Sequence, residues 1–181
     1  MSTATKLMTA DELFRLPRGH FRYELVEGEL LTVSPAGEEH GAVIVNLTLP
    51  LAQHVKANNL GVVYGAATGF KLETNPDTVL APDIAFIRSE RITILSKAYR
   101  TGPPDLAVEV VSPGESKSEV ERKVERWLQA GTLAVWVVYP ETRTVALHRP
   151  GLTATLLTEQ DEVSGDDIVP GFRFPVSEIF F

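Results

Sequence analysis

Residues 105–140 read DLAVEVVSPGESKSEVERKVERWLQAGTLAVWVVYP, and this stretch decides the fold. Its two ends, 106–111 and 133–139, are short apolar runs of the kind that fills buried strands. Between them Val120, Val124, Trp127 and Leu128 recur on one helical face, and Gly131 suits a C-terminal stop. One residue is out of place. Glu109 lies in the middle of the first apolar run, where an ionised carboxylate without a partner costs several kcal/mol or shifts its pKa.

Working outward, Thr9 and Glu12 form a capping box for a short helix that Pro17 ends. RYELVEGELLTVS (22–34) alternates around Glu27-Gly28 and reads as a β-hairpin. Val43, Ile44, Leu47, Leu51 and Val55 recur at helical spacing, with Pro50 predicting a kink or break near residues 46–50. Strands are expected around VVYGA, TGFKLE and APDIAFI, and later around TVALHRP, with weaker strands beyond it. No repeat, low-complexity tract or linker interrupts residues 1–181. The order of elements predicts one α/β domain, a mixed sheet with helices packed against it.

Composition narrows the chemistry. The 181 residues include no cysteine, which excludes disulfides, thiolate metal sites and cysteine nucleophiles. No apolar run approaches the ~18 residues of a membrane span. The opening MSTATKLMTADELF lacks the basic region and apolar stretch of a secretory signal, so the expected compartment is the cytoplasm. The formal charge is −7, and no Lys/Arg-rich block occurs. A nucleic-acid enzyme with this balance needs a locally basic cleft or a bound metal.

Of three Pro-Asp pairs, Asp77 lies in a polar loop and reads as turn chemistry, and Asp105 as the solvated entrance of a strand. Asp83 is different, because Ile84, Ala85, Phe86 and Ile87 follow it in a mostly buried strand. If the strands of Asp83 and Glu109 are neighbours, their carboxylates converge on one hard cation. Magnesium takes one or two carboxylates, keeps waters and accepts phosphate oxygens. Lys123, on the helix that follows Glu109, is the candidate to steady developing charge or orient a water. A structural ion pair has the same pattern, and these residues alone leave both readings open.

Taken together, PDIAF, DLAVEVVSP, SEVERKVERWLQAG and LAVWVVYP resemble a large bacterial family of restriction-endonuclease-like proteins within the PD-(D/E)XK nuclease superfamily. The resemblance runs from YELVEGELL, with the following Ser-Pro and His40, to the closing GFRFPVSEIF. It implies a single restriction-endonuclease-like domain that hydrolyses phosphodiester bonds in nucleic acid, with DNA the expected substrate and Mg²⁺ or Mn²⁺ the cofactor. By the same resemblance Asp83 and Glu109 bind the metal, the backbone carbonyl of Val110 is a further ligand, and Lys123 completes the catalytic set. The superfamily's usual lysine, two residues after the glutamate, is replaced by Val111, which implies its migration to Lys123. Glu119 and Trp127 fill the family's acidic and aromatic positions four residues before and after that lysine. Cutting a duplex takes two active sites or two visits, which makes a homodimer an attractive expectation. The alternative is a non-catalytic binding or regulatory module that retains the fold, and a third reading is hydrolysis of a small phosphoester.

Other residues weigh less. Glu24 matches a recurrent family glutamate, but a hydrogen-bonded strand residue at the hairpin is the preferred reading. His40 fits a structural histidine at least as well as one that orients substrate or water. His20, His54 and His148 lack metal-ligand spacing, and Ser34 and Ser112 lack a partner base. Neither a P-loop nor a GxGxxG motif is present. Trp127, Phe86 and Trp136 are expected in the core, and Arg88, Arg91, Lys97 and Arg100 in a solvated loop.

Overall fold

The computed structural model describes residues 7–17, 22–92, 94 and 97–181; His20 and the first six residues lie outside that set. The chain runs α1 (Ala10–Phe14), β1 (Arg22–Val26), β2 (Glu29–Val33), α2 (Glu38–Ala57), β3 (Gly61–Gly65), β4 (Phe70–Glu73), β5 (Thr78–Leu80) and β6 (Ile84–Arg88). It continues through β7 (Arg100–Thr101), β8 (Leu106–Val110), α3 (Lys117–Gln129), β9 (Ala134–Tyr139), β10 (Thr144–His148), β11 (Thr155–Leu157), β12 (Glu162–Ser164) and β13 (Arg173–Pro175). A six-stranded sheet has the order β11-β10-β9-β8-β6-β3, and a five-stranded sheet the order β2-β1-β5-β4-β7. β12 and β13 form a two-stranded ribbon.

The quoted stretch forms the centre of the larger sheet. β8 and β9 run parallel, joined by α3 as the crossover, while β6 lies antiparallel on the other side of β8. Side chains alternate across this sheet because successive Cβ atoms point to opposite faces. Leu106, Val108 and Val110 pack in one core with Val43, Leu47, Leu51 and Val55 of α2. Ala107, Val135 and Val137 pack on the other side with Val120, Val124 and Trp127 of α3. Both faces are covered, which explains why the central strands read as continuous apolar runs. The same parity turns Glu109 toward α3.

The expected break in α2 does not occur. Pro50 sits inside one helix from Glu38 to Ala57. A mid-helix proline costs about 3 kcal/mol, whereas burying each of Val43, Leu47, Leu51 and Val55 contributes about 1.5–3 kcal/mol. Burial wins. The Glu27-Gly28 hairpin forms as expected, with φ of 51° and 80° at its two turn residues, the positive pair a tight primed turn requires.

Two aspartates depart from expectation. Asp77 is buried, where Oδ2 accepts from Ala10 N at 2.7 Å and meets Lys71 Nζ at 2.9 Å, fastening α1 to the smaller sheet. Asp105, only 2% exposed, pairs with Arg91 Nη1 at 2.8 Å and accepts from Arg88 N at 2.9 Å. Arg100 is likewise engaged, donating to the Arg91 carbonyl. The guanidinium groups of Arg88, Arg91 and Arg100 are therefore tied to protein oxygens and not simply solvated, whereas Lys97 is exposed as expected. Asp105 lies four residues before Glu109, about 13 Å along an extended strand, so this cluster stands away from the cleft described next.

Candidate active site

β6 begins where β8 ends, because the two are antiparallel and Ile84 pairs with Val108. That register brings Asp83 beside Val110. Asp83 N donates to Val108 O at 3.0 Å, and Asp83 Oδ2 accepts from Val110 N at 2.8 Å. Both Asp83 and Glu109 are 7% exposed and line one cleft of about 780 Å³. The expected pairing of the two strands, and the convergence of their carboxylates on one cleft, is present.

Glu109 is held at both oxygens. Oε1 accepts from Trp127 Nε1 at 2.7 Å, and Oε2 faces Lys123 Nζ at 3.5 Å. Four residues separate Trp127 from Lys123, so they share a face of α3. Trp127 is fully buried and meets Phe70 edge-on, as a core residue should, yet its N–H also fixes a carboxylate. Burial raises the Glu109 carboxyl to about 8; Lys123 opposes that shift, while Asp83 and Glu24 add to it.

Lys123 bridges Glu109 and Glu115, whose Oε1 lies 3.1 Å from Nζ. Burial pulls its ammonium toward neutrality, but Glu109, Glu115 and Glu24 together hold it above the ordinary lysine value. A permanently charged lysine can orient a water or stabilise an oxyanion; it cannot accept a proton. Sequence reasoning missed Glu115. Glu119, at the family's acidic position, is instead spent on the α3 capping box, accepting from Ser116 N at 2.8 Å. Glu115 Oε2 accepts from Ser112 N at 2.9 Å, which ties the lysine's partner to the end of β8. The eight-residue offset from Glu115 to Lys123 was the available signal.

His40 enters from the first turn of α2 and is buried. Its Nε2 lies 2.8 Å from the Val110 carbonyl and 3.4 Å from Asp83 Oδ2. Since a carbonyl only accepts, Nε2 carries the hydrogen. The Val110 peptide is thus pinned at both ends, its N–H by Asp83 and its carbonyl by His40. Hydrogen bonding to Asp83 raises the imidazole above its ordinary value, with burial opposing. Glu24 lines the same cleft and accepts from Ala81 N at 3.1 Å, so it is both the hydrogen-bonded strand residue expected and a third carboxylate of the site. Burial raises its pKa, against the lowering influence of Lys123.

The donor set suits a hard divalent cation. Asp83, Glu109 and the Val110 carbonyl offer only oxygen, and a cation can replace the proton that burial keeps on Glu109 in the metal-free protein. Among the described residues no group of three or more His, Asp or Glu side chains is arranged to hold a metal by itself.

A family model described as "Putative restriction endonuclease" (Uma2) matches residues 10–177, and the chain belongs to this family. Among solved structures it is similar to "a putative nuclease belonging to DUF820" from Anabaena variabilis ATCC 29413. That match has a TM-score of 0.82 at 21% identity and covers 96% of this chain and 97% of the other. No curated protein matches the chain. The family and the restriction-endonuclease-like α/β fold both agree with the resemblance read from the sequence. No helix among the described residues is long and apolar enough to cross a membrane.

Proposed function

For this member of the Uma2 family we propose a divalent-metal-dependent nuclease that hydrolyses phosphodiester bonds in nucleic acid, with DNA as substrate. One observation carries the proposal. Glu109 is buried in the central strand with one oxygen fixed by Trp127 and the other beside Lys123, next to Asp83 on the neighbouring strand. Asp83, Glu109 and the Val110 carbonyl would hold Mg²⁺ or Mn²⁺. Such an ion supplies Lewis-acid polarisation of the phosphodiester and acidifies a bound water.

The chain's own groups do the rest. Asp83 and His40 hold the Val110 peptide in place. Trp127 holds the Glu109 carboxylate in one orientation. Lys123, kept charged by its carboxylate neighbours, orients the attacking water and stabilises negative charge that develops on the phosphoryl oxygens. Glu24 adds negative charge that favours cation binding. A homodimer belongs to the same proposal, since two sites are needed to cut both strands of a duplex in one encounter.

Lys123 also favours a second reading. Its contacts with Glu109 and Glu115 compensate charge internally, as they would in a non-catalytic binding module. Calorimetric titration of Mg²⁺ and Mn²⁺ into wild type, Asp83→Ala and Glu109→Ala, with and without a short DNA duplex, separates the two. Binding lost in both variants, followed by metal-dependent cleavage that disappears in Lys123→Ala, supports the nuclease. No metal binding even with DNA present would move the assignment to the binding module.

A further inference from the structure

We infer that Arg22, Arg122 and Arg126 are the cleft's phosphate-backbone contacts, through which this acidic chain grips a nucleic-acid strand. The inference rests on the nuclease reading and deepens it by naming the residues that bind substrate away from the metal.

Electrostatics create the need. The chain carries a formal charge of −7, and the cleft floor holds the carboxylates of Glu24, Asp83 and Glu109. A polyanion approaches such a floor only where cations stand around it. Arg88, Arg91 and Arg100 are committed to Asp105 and to carbonyl oxygens, and neither they nor Lys97 line the cleft.

Arg22, Arg122 and Arg126 do line it. Arg22 precedes Glu24 by two residues on β1, so the two share a face of the strand and Arg22 stands beside a floor carboxylate. Arg122 and Arg126 are four residues apart on α3 and flank Lys123, placing them about 5–6 Å apart at Cβ. Cations from two separate elements therefore surround the carboxylates.

The absence of a close ion pair sets them apart from the paired arginines, with Arg22 and Arg122 feeling Glu24 and Glu119 only at longer range. Arg91, Arg143 and Arg149 lie 2.8, 2.6 and 2.9 Å from carboxylates. Among the described residues no carboxylate lies within the 4.0 Å ion-pair distance of Arg22, Arg122 or Arg126. Guanidinium matches phosphate through paired N–H donors, and its charge does not depend on pH in the working range. Unpaired guanidinium groups at the mouth of a cleft suit a strand of phosphates that continues past the reacting one.

The test is fluorescence anisotropy of labelled single-stranded and duplex DNA in Mg²⁺, across a salt series. It compares Arg22→Ala, Arg122→Ala and Arg126→Ala with Lys56→Ala, an exposed cation outside the cleft. The variants are placed in a Lys123→Ala background so that the DNA stays intact, and circular dichroism confirms that each is folded. Each arginine variant is expected to weaken binding by about tenfold, to lower the salt slope by about 1, and to leave Mg²⁺ affinity unchanged. If the parent binds DNA and the arginine variants lose no more than Lys56→Ala, the inference is overturned and the nuclease reading survives. If the parent binds Mg²⁺ but neither form of DNA, the nucleic-acid reading falls, and this inference with it.

Discussion

The indole N–H of Trp127 donates to Glu109 Oε1 at 2.7 Å, so one residue both fills the space between α3 and the central sheet and orients the buried carboxylate. Trp127→Phe separates these roles by keeping an aromatic ring and removing the donor. Stability should fall by about 1–3 kcal/mol in chemical denaturation, and Mg²⁺ affinity by about 10- to 100-fold in calorimetry. Unchanged metal affinity would show that Trp127 serves packing alone.

The pH dependence of the metal-free protein follows from Glu109. Its carboxyl is raised from an ordinary 4.5 to about 8. Between those values the folded chain keeps a proton that the unfolded chain has released, so this contribution is full below pH 4.5 and is lost as pH rises toward 8. Denaturation midpoints should therefore decline across this window, with a slope approaching about 1.4 kcal/mol per pH unit. Glu109→Gln should flatten most of the slope, leaving the same-signed contributions of the raised Glu24 and His40, and saturating Mg²⁺ should restore stability near pH 8. The lowered carboxyl of Asp77 acts elsewhere, in acid, where its contribution disappears as pH falls below 3.8.

Lys123 should remain charged throughout the working range. Lys123→Ala is expected to lower turnover by about 10²- to 10³-fold, with Mg²⁺ binding retained. The wild-type rate profile should contain no alkaline-limb titration assignable to a lysine acting as base. A pH-rate inflection near neutrality that vanishes in Lys123→Ala would assign proton abstraction to this lysine after all.

At the opposite end of β8, Asp105→Ala should cost about 2–3 kcal/mol, because it strips partners from Arg91 and from the Arg88 amide. Metal titration of the folded variant should match wild type. A loss of metal affinity comparable with that of Glu109→Ala would mean that the two ends of the strand act as one unit.

What was legible in the sequence had local causes. The strand–helix–strand core announced itself because apolar periodicity lies within each element, and Glu109 stood out because its neighbours are apolar. Asp77 was misread since its fixing partner, Ala10 N, lies 67 residues away and nothing in the local Asn-Pro-Asp context reveals it. β5 has three residues, too few for a two-residue period to register, and it meets β1 at the single pair Leu25–Val79. The division into two sheets was invisible for that reason. Glu119 was singled out by the family resemblance, but a carboxylate at the third position of a helix is claimed first by the local cap, which left Lys123 to Glu115.

The alternation along β8 has an evolutionary consequence. A slip of one residue against β6 and β9 would turn Val108 and Val110 toward α3 and drive Glu109 into the α2 face, among Leu47 and Leu51. A chain that misplaces this buried carboxylate therefore also forfeits its core, and is removed by the cell's quality control instead of persisting as a stable folded copy. Substitutions that disturb this strand should disappear from the soluble fraction, whereas those on the cleft face of α3 are free to vary the activity of a protein that still folds.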